Sequence, residues 1–172
     1  HDAQANEPLV AWLLESDPAI RWQVRRDLLD ELESVWRAER ALVETQGWGA
    51  ALLALQDEDG LWAGGSFVPD EFSSELWATE GQPWTATAFA LNDLREWGLD
   101  PDSKAAQRTI QLVAAHGRWD EGDQPFWEGE VEECINGRTV ADSAYFGVDM
   151  SALVARLVSE QQPDGGWNCE RA

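Results

Sequence analysis

The chain has 172 residues, 44% of them hydrophobic, which is enough for one domain with a real core and too many for a disordered segment. Its 33 acids against 12 bases leave a net charge of −21, which argues against phosphate backbones and anionic membrane surfaces as partners. No unbroken apolar run, residues 50–55 among them, approaches the roughly 20 residues that span a bilayer, so no membrane insertion is expected.

Residues 1–7 are polar and read as a frayed lead. From Pro8 onward Leu9, Trp12 and Leu13 mark a short amphipathic helix that ends near Ser16-Asp17-Pro18, where Asp17 caps the next helix with Pro18 in its first turn. That second helix carries Ile20, Val24 and Leu28 at a spacing of four, with Arg21, Arg25 and Arg26 on its polar side. Together with Arg37 and Arg40 these bases make the first quarter the one part that is not strongly acidic, and they are expected to face acids elsewhere in the fold. A third helix over 33–45 stops at Gln46-Gly47, and a short fourth runs over 48–56.

Residues 57–83 are rich in Gly, Ser, Pro, Asp and Glu, with isolated aromatics at Trp62, Phe67, Phe72 and Trp77. They read as one long loop, held by its own side chains and functional more often than idle. Helical periodicity returns at Trp84 and stops at Gly98; Pro101 opens a helix through Ala115 that His116-Gly117 closes. A second irregular acidic segment, 118–132, precedes a helix over 133–146 stopped by Gly147, and the last helix runs from Asp149, its cap, to Gln161. No period of two persists, so the class is all-α and the chain is one domain. Cys134 and Cys169 are too few for a disulfide framework; they read as buried free thiols of a reducing, cytoplasmic compartment.

The chain repeats itself. Gln56, Asp59, Gly60 and Trp62 recur in register at Gln161, Asp164, Gly165 and Trp167, and the match extends back to Leu52 and Leu157. A degenerate copy lies at Gly117-Arg118-Trp119, and Trp97-Gly98-Leu99-Asp100 aligns with Phe146-Gly147-Val148-Asp149. A period near 50 suits a helical hairpin with its loops. In each copy a helix delivers Gln, the chain turns at Asp-Gly, and Trp packs back on the helix end, which is a structural task.

Gln-x-x-Asp-Gly-x-Trp after an apolar helix resembles the QW motif of the squalene and oxidosqualene cyclases, and more broadly the α/α-toroid family that includes protein prenyltransferases. The resemblance covers residues 47–172 and implies stacked helical hairpins, with the motif as an outer brace. The first 46 residues are similar, more weakly, to a HEAT-type helical pair. On this likeness the helices over 84–97 and 133–146 are inner ones with N-terminal ends toward a cavity. About three hairpins are present where a closed ring takes five or six. The result is an incomplete ring whose inner face must be covered by association as a homodimer, by further C-terminal repeats, or by its own loops.

The family's chemistry is not carried over. The cyclases protonate their substrate with an Asp-x-Asp-Asp group, whereas Asp100-Pro101-Asp102-Ser103 lacks the last acid, and only His1 and His116 are present for a prenyltransferase-like metal site. No metal, cofactor or catalytic residue is assigned. The cavity-side candidates for ligand binding are Trp84, Thr85, Trp127, Glu130, Glu132 and Glu133, joined by Asp142 and Tyr145 on the last inner helix. Trp faces beside carboxylates suit a hydrophobic or cationic small molecule. The plainer reading makes the Trp residues core, the Glu residues a solvated loop, Asp142 a partner of Arg95 or Arg138, and Tyr145 a packing residue. The leading expectation is a ligand-binding, terpene-cyclase-like domain. The alternatives are a divergent terpenoid cyclase or prenyltransferase-like enzyme, or its N-terminal part, and an acidic HEAT-like scaffold for a basic partner.

Overall fold

A computed structural model describes residues 7–168 of the chain. Within them lie the helices α1 (Glu7–Leu14), α2 (Pro18–Gln23), α3 (Glu33–Arg40), α4 (Gly47–Ala54), α5 (Ser74–Glu80), α6 (Thr87–Trp97), α7 (Lys104–His116), α8 (Glu133–Phe146) and α9 (Ser151–Ser159). The described residues hold two isolated bridges, Trp62 with Gly65 and Arg118 with Pro125, and no strand, so the all-α class stands. Among them no helix is long and apolar enough to cross a membrane.

Local chemistry explains most of the boundaries. The Asp17 carboxylate accepts from Ala19 N at 2.9 Å to cap α2 and from Trp48 N at 2.7 Å at the start of α4, so one side chain ties two helix starts together. Gly47, at φ +64°, lies so close that a Cβ would stand 1.9 Å from that carboxylate. Left-handed Gly98 and Gly147 end α6 and α8 as expected, whereas Gly117 ends α7 with φ −64°. Gly117 is needed instead for space, because a Cβ there would meet Val113 O at 2.7 Å and Phe126 Cβ at 2.9 Å.

Four element expectations are corrected. The segment 57–83 is not all loop: Ser73 Oγ accepts from Leu76 N at 3.3 Å and caps α5. Helix α6 begins at Thr87, three residues after Trp84, and α7 begins at Lys104, with Ser103 and not Pro101 as the entry. Asp149 lies one residue outside the N-cap of α9, where it accepts from Ser151 N at 2.9 Å. Helix α2 passes without a break into a π turn over Val24–Leu28, and α3 into a 3-10 turn over Ala41–Glu44.

The core is built on α6 and its neighbours, with Leu91, Leu94, Leu99 and Val113 fully buried beside Trp62, Trp119 and Phe126. Helices α6 and α8 lie side by side and run the same way: Arg138 stands over the Phe89 ring at 5.4 Å, and Arg95 donates to Asp142 at 2.7 Å. Helices α7 and α9 both pack on α8, and α4 packs on α6. The N-terminal helices dock through polar anchors. Trp22 Nε1 donates to Trp97 O at 2.8 Å, and Arg40 donates to Gly98 O and to the Tyr145 hydroxyl, each at 2.8 Å. The other bases of this quarter pair within it, Arg21 with Glu39, Arg25 with Glu31 and Glu39, Arg26 with Asp27, and Arg37 with Glu33. They do not reach acids elsewhere.

The two full motif copies build the same turn. Gln56 Nε2 donates to Gly60 O at 2.9 Å and Trp62 Nε1 to Leu52 O at 2.8 Å; Gln161 Nε2 donates to Gly165 O at 2.8 Å and Trp167 Nε1 to Leu157 O at 2.7 Å. Asp59 and Asp164 each accept from the backbone N–H two residues on. In the degenerate copy Trp119 turns to a different acceptor, Phe126 O at 2.9 Å, and stacks on Phe126 with ring centroids 4.5 Å apart.

Candidate functional site

The start of α8 is where concave surface collects. Between α6 and α8 a small cavity of about 110 Å³ is walled by Phe67, Trp84, Phe89, Ile135, Arg138, Thr139 and Asp142. It adjoins a wider cleft of about 830 Å³, lined by Phe67, Val68, Trp77, Gln82, Asp120, Glu130 and Glu132. Phe67, Cys134 and Ile135 border both, so the two form one continuous surface under the 63–85 segment.

The segment is positioned over α8 by a few specific bonds. Phe67 N and Val68 N both donate to Asp120 Oδ2, at 2.8 and 3.3 Å. Thr87 Oγ1, at the start of α6, donates to Gly65 O at 2.6 Å and accepts from Trp62 N at 3.1 Å. Phe67 and Trp84 then flank Phe89, each with ring centroids 5.0 Å from it, and form an aromatic wall. Trp84 keeps 64% of its surface exposed, so its face is open to a ligand.

The acids differ in their environments. Asp142 is 1% exposed, and burial pushes its carboxyl up to about 6 against the opposing pull of Arg95 and Arg138. Glu130 is also raised by burial, with nearby Glu132 and Glu121 adding to the rise; its carboxylate accepts from Glu132 N at 2.6 Å. Burial likewise raises Asp93. Within the wider cleft the side-chain nitrogen of Gln82 is buried with no hydrogen-bond partner, a donor facing no acceptor.

Of the eight residues singled out from the sequence, Trp84 and Asp142 line the small cavity, and Glu130 and Glu132 line the cleft. Glu133 lines a third cavity of about 310 Å³, beside Leu157 and Trp167, that shares Cys134 and Arg138 with the small one. Thr85 is exposed and borders none of these spaces, and Trp127 packs edge-on against Phe126 at 4.9 Å. Tyr145 does more than pack: its hydroxyl donates to Leu99 O at 2.8 Å and accepts from Arg40. Asp142 is the ion-pair partner of Arg95, the plainer of its two readings. Cys134 is exposed, not buried, with Sγ 3.6 Å from Glu132 Oε2; Cys169 lies outside the described residues.

Phe67, Phe89, Trp77, Gln82 and Arg138 also form this surface, and sequence reasoning did not select them. The signal for two of them was present, since Phe67 and Trp77 are isolated aromatics in a segment expected to be functional. Among the described residues no group of three His, Cys, Asp or Glu side chains is placed to hold a metal ion. The arrangement offers aromatic faces, carboxylates and one guanidinium.

No protein-family model matches the chain, and no curated protein or solved structure matches it.

Proposed function

We propose that the chain is a small-molecule-binding domain, an arc of a terpene-cyclase-like α/α toroid, whose cleft takes a hydrophobic organic cation. The observation that carries the reading is the joining of an open aromatic wall, Phe67, Trp84 and Phe89, to a cleft bearing Glu130 and Glu132. A cation on an apolar stem satisfies both: the stem covers aromatic surface, while the charge meets ring faces and carboxylates. The parallel pair α6 and α8 supports the toroid part of the proposal, as does the identical hydrogen bonding of the two braces. Acid catalysis at Asp142 ranks below binding, because that side chain is 1% exposed and its Oδ1 is already engaged by Arg95 at 2.7 Å.

The test is titration with a short-chain alkyl trimethylammonium, kept below its micelle concentration, alongside its neutral tert-butyl isostere. Binding of the cation is expected to quench tryptophan fluorescence and raise the melting temperature, with the isostere at least tenfold weaker. Glu132→Gln and Trp84→Ala should each weaken cation binding by about tenfold, on the order of 1.4 kcal/mol. Equal responses to cation and isostere, or responses that survive both substitutions, would sink the proposal.

A further inference from the structure

The 63–85 segment leaves the body and returns to it at one fixed stem. Gly65 O accepts from Thr87 N at 3.1 Å and from Thr87 Oγ1 at 2.6 Å, and Ala88 N donates to Ser66 O at 2.9 Å. Thr87 is fully buried, and a Cβ on Gly65 would stand 1.8 Å from Val68 O, so the stem has no slack. Asp120 fixes the next two residues through Phe67 N and Val68 N. Beyond Asp70, whose N–H donates to Ala63 O at 3.0 Å, the ties change in kind. The hydrogen bonds of residues 71–85 close within the loop itself: Phe72 N to Pro69 O, Leu76 N to Ser73 Oγ, Trp77 N to Ser73 O and Gly81 N to Trp77 O. Helix α5 buries none of its residues, and Trp77 packs on Phe72 of the same loop, with ring centroids 6.1 Å apart. On the returning arm Trp84 meets Phe89 through a ring edge. Gly81 ends α5 at φ +76°, and nothing lies within 4 Å of where its Cβ would go, so the backbone turns there in open space.

This loosely tied tip borders the candidate site. Trp77 and Gln82 share the cleft of about 830 Å³ with Glu130, Glu132 and Ile135 of the body. Trp77 keeps 49% of its surface in solvent, and the buried side-chain nitrogen of Gln82 has no hydrogen-bond partner, so the tip is incompletely satisfied where it stands. Charge keeps it there. Residues 69–85 carry four acids and no base, and no residue lining the cleft is basic, so carboxylates on tip and body repel each other. A cation between them removes the repulsion and offers Trp77 a charge to cover. We propose that residues 69–85 are a flap that closes over the cleft when the cation binds, with Gly81 as its hinge and Trp77 as the face laid on the ligand. The inference rests on the cation-binding reading above and adds closure to it.

The test uses the intact chain and a short-chain alkyl trimethylammonium below its micelle concentration. At saturation, amide exchange of residues 74–81 is expected to slow about tenfold while α7 is unchanged. In stopped-flow fluorescence Trp77→Ala should raise the dissociation rate about tenfold and leave association nearly unaltered. Gly81→Ala touches no neighbour, so a rigid cleft gives it no route to the ligand. As a stiffened hinge it should weaken binding roughly fivefold without lowering the melting temperature of the free chain. Saturation seen by fluorescence with exchange of 74–81 unslowed overturns the flap and leaves the binding reading standing, as does dissociation indifferent to both substitutions. No fluorescence response at millimolar cation removes the binding reading and the flap with it.

Discussion

At the scale of single residues, Asp142 is the group with the clearest consequence. Its carboxyl titrates near 6 in the fold against 3.8 when unperturbed, so the folded state binds the proton more tightly. Such a group adds stability that is fully present below about pH 4 and is lost as pH rises through 6. The difference is worth up to about 3 kcal/mol. Asp93 and Glu130 are raised as well and act in the same direction. Unfolding midpoints in urea should therefore rise as pH is lowered from 7 to 5, and Asp142→Asn should flatten that slope. A profile that falls over this range, or an unchanged slope in the variant, would show that burial does not govern this carboxyl. Gly98 gives a second residue-level prediction, because it sits at φ +87° with Trp22 ring atoms 2.5 Å from where a Cβ would go. Gly98→Ala should cost more than the roughly 1 kcal/mol of ordinary backbone effects, read from the same unfolding curves.

At the scale of elements, the paired braces form an internal control. The same indole-to-carbonyl bond closes each turn, so a comparison of Trp62→Ala with Trp167→Ala isolates the contribution of burial. Loss of the buried ring should cost about 3–5 kcal/mol, and loss of the half-exposed one about 1 kcal/mol or less. Denaturant midpoints measure both, and equal losses would mean that the hydrogen bond and not the packing dominates. Helix α5 makes a related point about local signals. Seven residues with a serine cap are too short to impose a helical period on a segment rich in Gly and Asp, so no periodicity marks the helix there.

At the scale of the whole molecule, the N-terminal helices are held to the repeats by packing of α2 and the 41–44 turn on α4 and by a few directional bonds. Trp22 and Arg40 reach the last turn of α6 and the α6–α7 junction, and Arg40 also reaches Tyr145 on α8. Arg40→Ala removes two charge-assisted bonds and should cost about 1.5–3 kcal/mol. Because the lost bonds lie between the units, hydrogen exchange should accelerate across residues 18–46 while α9 keeps its protection. Uniform acceleration over the entire chain would show that the two parts unfold as one.

The sequence by itself determined what short-range physics controls. Left-handed glycines mark the ends of α6 and α8, Asp17 caps α2, and the repeated Gln, Asp, Gly and Trp predict a brace that both copies build bond for bond, because these features involve partners within about ten residues. The candidate site was legible only in part. Trp84, Glu130, Glu132 and Asp142 border the joined cavities, but Phe89 and Arg138 do so because α6 and α8 lie side by side, which no local pattern states. Only the tertiary structure decided that Tyr145 is an anchor for Arg40, that Asp142 is buried against Arg95, and that one brace is covered while its twin is open. Each of these depends on what packs across 47 to 105 residues of chain, and desolvation, which sets both the acid's titration and the value of an indole, exists only once that packing is made.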